Sequence, residues 1–588
     1  MRLPLAFRVI RSSREEVSLS DRVRPVLTVL ASLALLELIV RDGYRIHLSQ
    51  AVNIVLYAFE WVVVAAFLVD VVISAVNARS LPGYARSNWL DVVLLLVVVG
   101  AMLGGIRATP IAIARQAFVT FRAYARSGQF VRFIESLRRR PVQLMALSFI
   151  VLILAGTLLL SFPAATVDGR GEPPLDALFT STSAVCVTGL VVRDTEFFFT
   201  RFGQWVIMLL IQFGGLGIMT FSASVMVLLG RKLGAVGRQA MGMVVEDSRD
   251  VDIAHTLRYI LLFTLLAEGL GTVVLFLRWL ADFSRPLEAL FAAAFHSVSA
   301  FCNAGFSTFS DNLVRYQGDL IINLTVCGLI VFGGLGFSVV HELINRRTLR
   351  AQFRRWILRD AAVTVPPYST HAFIVLRTTA VLILFGAAAF FFFEYDNVLG
   401  NLPLGTRLLA SLFQSITPRT AGFNTVPFGT LRPVTLFIIT ALMFIGASPG
   451  GTGGGIKTST LAVLYLTFRN LVAGRGNVVF RGRTIPREVV YRAAAILAGS
   501  GVLLSIIITL LLVTEAPSFL NLLFEATSAF GTVGLSTGIT PGLSPAGKMA
   551  IIILMYVGRI GPLTLALTMR SRLSRVPVEY PEARVMVG

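Results

Sequence analysis

The sequence predicts an all-α membrane protein: four repeats of an outer helix, a short pore helix and an inner helix, preceded by about four extra helices. Three observations carry this. The 588-residue chain is 55% hydrophobic and only 14% charged, where soluble domains carry about 25% charged residues. Apolar runs close to the ~20 residues that cross a bilayer recur along its whole length. Four glycine-centred segments are also near-evenly spaced: Val187-Thr188-Gly189-Leu190, Asn303-Ala304-Gly305-Phe306, Thr420-Ala421-Gly422-Phe423 and Thr532-Val533-Gly534-Leu535, with glycines 116, 117 and 112 residues apart. Each follows a short apolar, helix-like run and precedes a long hydrophobic segment, as a fourfold internal repeat around a central pore requires.

In chain order, residues 26–40, 52–76 and 89–106 read as apolar helices. A fourth stretch, 110–135, is less apolar and carries Arg115, Arg122, Arg126 and Arg132. The outer, pore and inner helices are then expected at 142–162, 175–186 and 203–229 in the first repeat and at 256–280, 287–301 and 318–342 in the second. In the third they fall at 371–393, 405–417 and 432–466, and in the fourth at 489–513, 519–530 and 546–570. The implied boundaries are a helical membrane module at 1–140, repeats at 141–250, 251–365 and 366–485, and a fourth repeat with the C-terminal tail at 486–588.

The net charge of +20 sits in the connections: near the N terminus, at Arg138 to Arg140, Arg346 to Arg355, Arg469 to Arg492 and Arg570 to Arg575. That is positive-inside topology, with contact to anionic membrane lipid as a by-product. No aromatic or groove-reading elements stand beside these arginines, so nucleic acid is not an expected partner. Each repeat crosses twice, which puts all the inter-repeat basic segments on one side. The basic N terminus joins them only if the leader crosses an even number of times, so 110–135 is expected to cross and both termini to be cytoplasmic. The long first apolar run, without a small-residue cleavage pattern, does not read as a signal peptide. Cys186, Cys302 and Cys327 are few and odd in number, without disulfide or metal-site spacing.

A dehydrated cation needs oxygens in place of its water shell, and a ring of backbone carbonyls supplies them. Such a filter demands unusual backbone that glycine tolerates best, and non-helical backbone at membrane depth is allowed only where it lines a cavity or is buried in protein. The residues just before Gly189, Gly305, Gly422 and Gly534 are therefore candidate ion ligands, and Thr532-Val533-Gly534 is nearest to the well-known potassium-channel filter. Serines and threonines beside each turn, among them Ser183, Ser299, Thr417 and Ser528, are expected to bond backbone that would otherwise be unsatisfied.

The inner helices repeat too. Gly214, Gly333, Gly446 and Gly558 head glycine-bearing segments 119, 113 and 112 residues apart, where glycine permits close contact, bending or a break. In the third, Gly446, Ser448, Pro449, Gly450, Gly451, Gly453, Gly454, Gly455 and Lys457 lie in a run that cannot stay helical. A flexible gate loop under the filter is expected there. It is not a phosphate loop: Ile456 intervenes between Gly455 and Lys457, and no nucleotide-domain strand precedes it, which argues against a membrane ATPase. Arg559 lies in the last inner helix, where charge facing lipid is costly; it is either buried against helix carbonyls or a pore-facing gate residue.

Taken together, the four turns, the Ser448-to-Thr458 loop and Gly558-Arg559-Ile560-Gly561-Pro562 resemble the Trk/Ktr/HKT superfamily of potassium transporters, over about 140–588. The tail Tyr580 to Gly588 is similar to Ktr-type membrane subunits. The resemblance implies potassium uptake through one chain's four-repeat filter, K⁺ as transported ion with no organic cofactor and no enzyme activity. It also implies a homodimer and a cytosolic nucleotide-binding regulatory ring as a separate subunit. By motif match it assigns the four glycines to the filter, 446–457 to the intramembrane gate and Arg559 to the inner-helix arginine. Glycine at all four positions resembles potassium-preferring members; a sodium-permeable or Na⁺-coupled transporter of the same architecture is the alternative. The 1–140 module departs from the family core and resembles a voltage sensor only loosely, because its arginines lack the every-third spacing.

Overall fold

The computed structural model describes residues 141–217, 253–344 and 368–561, with a few isolated helical positions between 33 and 69. The leader helices, the 218–229 end of the first inner helix, the 345–367 connection and the C-terminal tail lie outside the described residues. The chain divides into two compact units, Met1–Arg139 with Phe162–Ala164, and the remainder; the second unit holds the repeats.

Four outer helices, α1 (Pro141–Leu160), α4 (Ile253–Trp279), α8 (Thr370–Glu394) and α12 (Arg487–Thr514), each precede a short pore helix: α2 (Pro174–Val185), α5 (Pro286–Phe301), α9 (Leu404–Ile416) and α13 (Phe519–Gly531). Inner helices come next as α3 (Arg201–Leu216), α6 (Leu320–Gly334), α10 (Pro433–Phe444) and α14 (Pro545–Ile560), with α7 (Phe337–Ile344) after α6 and α11 (Thr458–Val472) after α10. Among the described residues, three helices are long and apolar enough to cross a membrane: Tyr259–Trp279, Thr370–Glu394 and Arg487–Thr514. Leu154, Leu270, Leu384, Phe392 and Val513 on the outer helices are all more than half exposed, the pattern of side chains that face hydrocarbon rather than water.

Local sequence sets the helix starts. Proline occupies the first turn of α2, α5, α10 and α14, where its missing N–H costs nothing. Thr200, Asp319, Ser369 and Ser544 cap α3, α6, α8 and α14 by accepting from the backbone N–H three residues on. Each such bond satisfies one of the orphan donors of a first turn.

The C-terminal halves of pore helices α2, α5, α9 and α13 are largely buried, and each inner helix packs on the pore helix of the next repeat: α3 on α5, α6 on α9, α10 on α13, and α14 back on α2. That last contact closes the four repeats into a ring.

At the repeated mid-helix glycines, where close contact, bending or a break was open, α3, α6 and α14 each end. α3 ends at Leu216 before Gly217, and α14 ends at Ile560 before Gly561; both glycines have positive φ. α6 and α7 are bent by 109° about Gly336, also at positive φ. Left-handed backbone cannot continue a right-handed helix, and glycine adopts it without a Cβ penalty. The connection between α11 and α12 also carries a two-stranded hairpin, β1 (Val479–Phe480) with β2 (Arg483–Thr484). Its turn residues Arg481 and Gly482 both have positive φ, as a tight hairpin turn requires.

Candidate functional site

The four glycine segments occupy one place. After each pore helix the chain takes a left-handed residue, one intervening residue and a left-handed glycine. The first members are Val187 (φ 57°), Asn303 (60°), Thr420 (74°) and Thr532 (50°), and the glycines are Gly189 (91°), Gly305 (70°), Gly422 (79°) and Gly534 (92°). Non-glycine residues rarely hold φ > 0, so four such residues in identical register mark one backbone device built four times.

Those turns meet around an axis. A Cβ on Gly189 would overlap the carbonyl oxygen of Ala304, one on Gly305 would lie 2.8 Å from that of Ala421, one on Gly422 would overlap that of Val533, and one on Gly534 that of Thr188. The sequence of contacts runs through quarters one, two, three and four and returns to one. Thr188, Ala304, Ala421 and Val533 thus carry their oxygens on a closed ring with no room for a side chain at any glycine. The C-terminal ends of α2, α5, α9 and α13 converge there, and the negative end of each helix dipole favours a cation.

Hydroxyls hold the turns, as expected. Ser183 and Ser528 accept from the amides of Gly189 and Gly534 at 3.0 and 3.1 Å. Ser299 and Thr417 donate to the carbonyls of Phe306 and Phe423 at 2.8 and 2.5 Å. Gly214, Gly333 and Gly558 sit so close to the ends of the pore helices that a Cβ on each would overlap the carbonyl of Val185, Phe301 and Phe530 respectively. Cys302 is fully buried beside the ring, its Sγ 3.8 Å from Glu268 Oε1 and 3.9 Å from Gln212 Oε1.

The predicted interruption of the third inner helix lies between Phe444 and Thr458. Gly446 donates to Ile456 (2.8 Å) and closes the loop at its base. From there the loop reaches other repeats. Ser448 and Thr452 donate from their amides to Gly334 and Gly333 at 3.0 and 3.1 Å, and Gly450 accepts from Phe337 at 3.1 Å. Pro449 presses its carbonyl on Gly336, and Gly451 lies where a Cβ would come 2.8 Å from the Gly334 carbonyl. Gly454 donates to Thr532 Oγ1 (2.9 Å), and Gly455 to the Gly558 carbonyl (3.3 Å). A Cβ on Gly453 would overlap Thr420 Oγ1. Lys457 Nζ donates to the Gly453 carbonyl at 2.7 Å. Because Thr420 and Thr532 open their turns, the loop lies against the pore-helix end of the ring.

Arg559 completes the arrangement. Its guanidinium donates to the Thr452 carbonyl on the loop and to the carbonyls of Gly214 and Gly215, the last at 3.2 Å. Of the two sequence readings of Arg559, burial against helix carbonyls is the one these bonds match, and the same side chain ties the loop to the first repeat. The ring's outer side is stitched by Lys548, whose ammonium lies 2.6 Å from Asp176 across the junction of repeats four and one. Sequence reading did not single out Asp176, Glu268, Lys548 or the pore-helix residues Thr180, His296, Gln414 and Glu525; the last four carry a signal, a polar residue eight or nine positions before each glycine.

These features define a multi-pass helical membrane protein in which four short helices, each followed by a glycine turn, meet around one axis. The family model of TrkH, described as a cation transport protein, matches residues 129–575. The chain is 36% identical over 457 residues to the Ktr system potassium uptake protein B of Bacillus subtilis (strain 168), covering 77% of this chain and 98% of that protein. To the protein of the same name from Vibrio alginolyticus it is 38% identical over 452 residues, covering 76% and 94%. Its fold is similar to that of the potassium transporter TrkH from Vibrio parahaemolyticus, with a TM-score of 0.57 at 18% identity over 93% of this chain and 98% of that one. The chain belongs to the TrkH family of cation transport proteins.

Proposed function

We propose that this protein takes up potassium across the cytoplasmic membrane through the four-quarter ring. The observation that carries this is the closed cycle of carbonyl oxygens at Thr188, Ala304, Ala421 and Val533, each against the glycine of the neighbouring quarter. A K⁺ ion sheds its water for these oxygens and those of Val187, Asn303, Thr420 and Thr532, while the four pore-helix ends supply negative potential. The loop from Gly446 to Lys457 is the gate, and Arg559 is its latch and a positive charge opposing cation flow. The names of the relatives, potassium uptake proteins, support K⁺ as the ion.

The same reading divides the chain as a 1–140 helical module followed by repeats at 141–250, 251–365, 366–485 and 486–588, with both termini cytoplasmic and the outer helices in lipid. The chain works as a homodimer with a separate cytosolic nucleotide-binding ring. The relatives' description as parts of a "Ktr system" supports a multi-component assembly.

Cation-dependent melting of the purified chain tests the ring without any partner. Free ligand at 100 times its Kd stabilises the folded state by about 2.7 kcal/mol, so K⁺ and Rb⁺ raise Tm well above the value in Na⁺. An equal rise in Na⁺ moves the sodium-permeable alternative ahead, and no rise with any of the three counts against the ring as an ion site.

A further inference from the structure

The pore helices carry a second repeated feature. A buried polar residue stands nine positions before the glycine in repeats one, two and four, and eight before it in repeat three: Thr180, His296, Glu525 and Gln414. In three repeats it reaches across the turn to a hydroxyl beyond the glycine. His296 Nδ1 lies 2.8 Å from the Ala292 carbonyl, which can only accept, so Nδ1 carries the proton and Nε2 accepts from Ser307 at 2.9 Å. Gln414 Nε2 donates to Thr425 at 3.1 Å. Glu525 Oε1 accepts from Thr540, whose hydroxyl is 3.0 Å from that of Ser536. Ser536 follows Gly534 by two residues, as Ser307 follows Gly305. In repeat one Thr180 turns back instead and donates to Glu172 at 2.8 Å.

Bonds from Ser183, Ser299, Thr417 and Ser528 hold the turns at and next to the glycines. The cross-turn bonds hold the limb that continues outward, which runs without α-helix from each glycine to the next inner helix. Carbonyl number and distance around an ion set its preference, so a limb that shifts changes the preference without abolishing passage. Glu525 is the member that owes least to generic packing. It is fully buried, and its Oε2 has no partner among the described residues, an arrangement that costs free energy.

We propose that Glu525 is a positioning residue for ion selection: through Thr540 and Ser536 it anchors the outer limb of the fourth quarter, whose Val533 carbonyl abuts Gly422. The proposal rests on the filter reading above and adds the residue that keeps one quarter at the selective spacing.

The test is Rb⁺ uptake by vesicles holding the full chain, with K⁺ or Na⁺ as competitor, in wild type and variants. Loss of this buried hydrogen bond lowers the preference for K⁺ over Na⁺ about five- to tenfold in Glu525→Leu and in Thr540→Val. The maximal rate changes far less than the preference. Glu525→Gln keeps the acceptor and Thr540→Ser the hydroxyl, so both stay within about twofold of wild type. Combining Glu525→Leu with Thr540→Val is no worse than either alone, because both remove one bond. If Glu525→Leu does not fold, the near-isosteric Thr540→Val and its serine rescue decide the matter. Unchanged preference in Thr540→Val, or equal loss in Glu525→Gln and Glu525→Leu, overturns the anchor while leaving the filter standing. A wild type that does not prefer K⁺ overturns both.

Discussion

Arg559→Leu removes a side chain that ties the gate loop to two other repeats at once. Its guanidinium donates to Thr452 on the loop and to Gly214 and Gly215 on α3. The other bonds from the loop to its surroundings, such as Gly454 to Thr532 and Gly455 to Gly558, join neutral groups worth about 0.5–1.5 kcal/mol each. The Arg559–Thr452 bond is charge-assisted and worth about 1.5–3 kcal/mol. If it exists only when the loop is closed, its loss shifts the closed-to-open ratio about 10- to 150-fold toward open. With Arg559 on the proposed ion path, removing its positive charge adds to the gain. The expected outcome is a faster initial rate of Rb⁺ uptake into vesicles in the absence of any cytosolic partner, with K⁺ preference intact because the ring is untouched. Arg559→Lys separates charge from tether: lysine keeps the charge, but its single ammonium lacks the fork that spans Thr452 and Gly214, so its rate lies between the two. A rate no higher than wild type in Arg559→Leu, with the protein folded and still K⁺-selective, refutes the latch.

The geometry gives three further predictions. Gly305→Ser puts a Cβ at a φ of +70°, 2.8 Å from the Ala421 carbonyl, at a backbone cost of about 1–2 kcal/mol; K⁺ preference over Na⁺ falls in competition uptake, and unchanged preference counts against Gly305 as part of the filter. Lys548→Met leaves Asp176 with Arg193, 3.0 Å away, as its one ion-pair partner among the described residues, and lowers stability by about 1–3 kcal/mol; an unchanged Tm in detergent shows that the pair does not hold repeats four and one together. Burial, with the nearby Asp176, pushes the Glu172 carboxyl up to about 8 from an ordinary 4.5, so its neutral form suits the fold and stability is lost as pH rises from about 4.5 through about 8. Glu172→Gln removes that part of the decline, and a parallel Tm–pH curve for the variant argues against the shift.

What was legible in the sequence was whatever depended on glycine. Gly189, Gly305, Gly422 and Gly534 stand at positive φ because the ring leaves no space for a Cβ, and the same demand makes them visible as a period. The break between Phe444 and Thr458 was legible for the same reason: proline and six glycines cannot hold a helix. At Gly217, Gly336 and Gly561 the choice between close contact, bending and a break stayed open, because apolar residues continue on both sides and hydrophobic patterning does not register one left-handed residue. Closure of the ring and the pairing of Glu525 with Thr540 depend on which quarters meet in space. A glutamate 15 positions before a threonine announces nothing by itself. Lys548 and Asp176 are 372 residues apart, and only the packing of α14 on α2 brings them together.

The most direct test of the central claim is Rb⁺ uptake into vesicles containing the purified wild-type chain, with K⁺ and Na⁺ as competitors at equal concentration. Four carbonyl-ring quarters with glycine in each predict strong block by K⁺ and little by Na⁺. Equal block by the two ions would contradict a K⁺-selective ring.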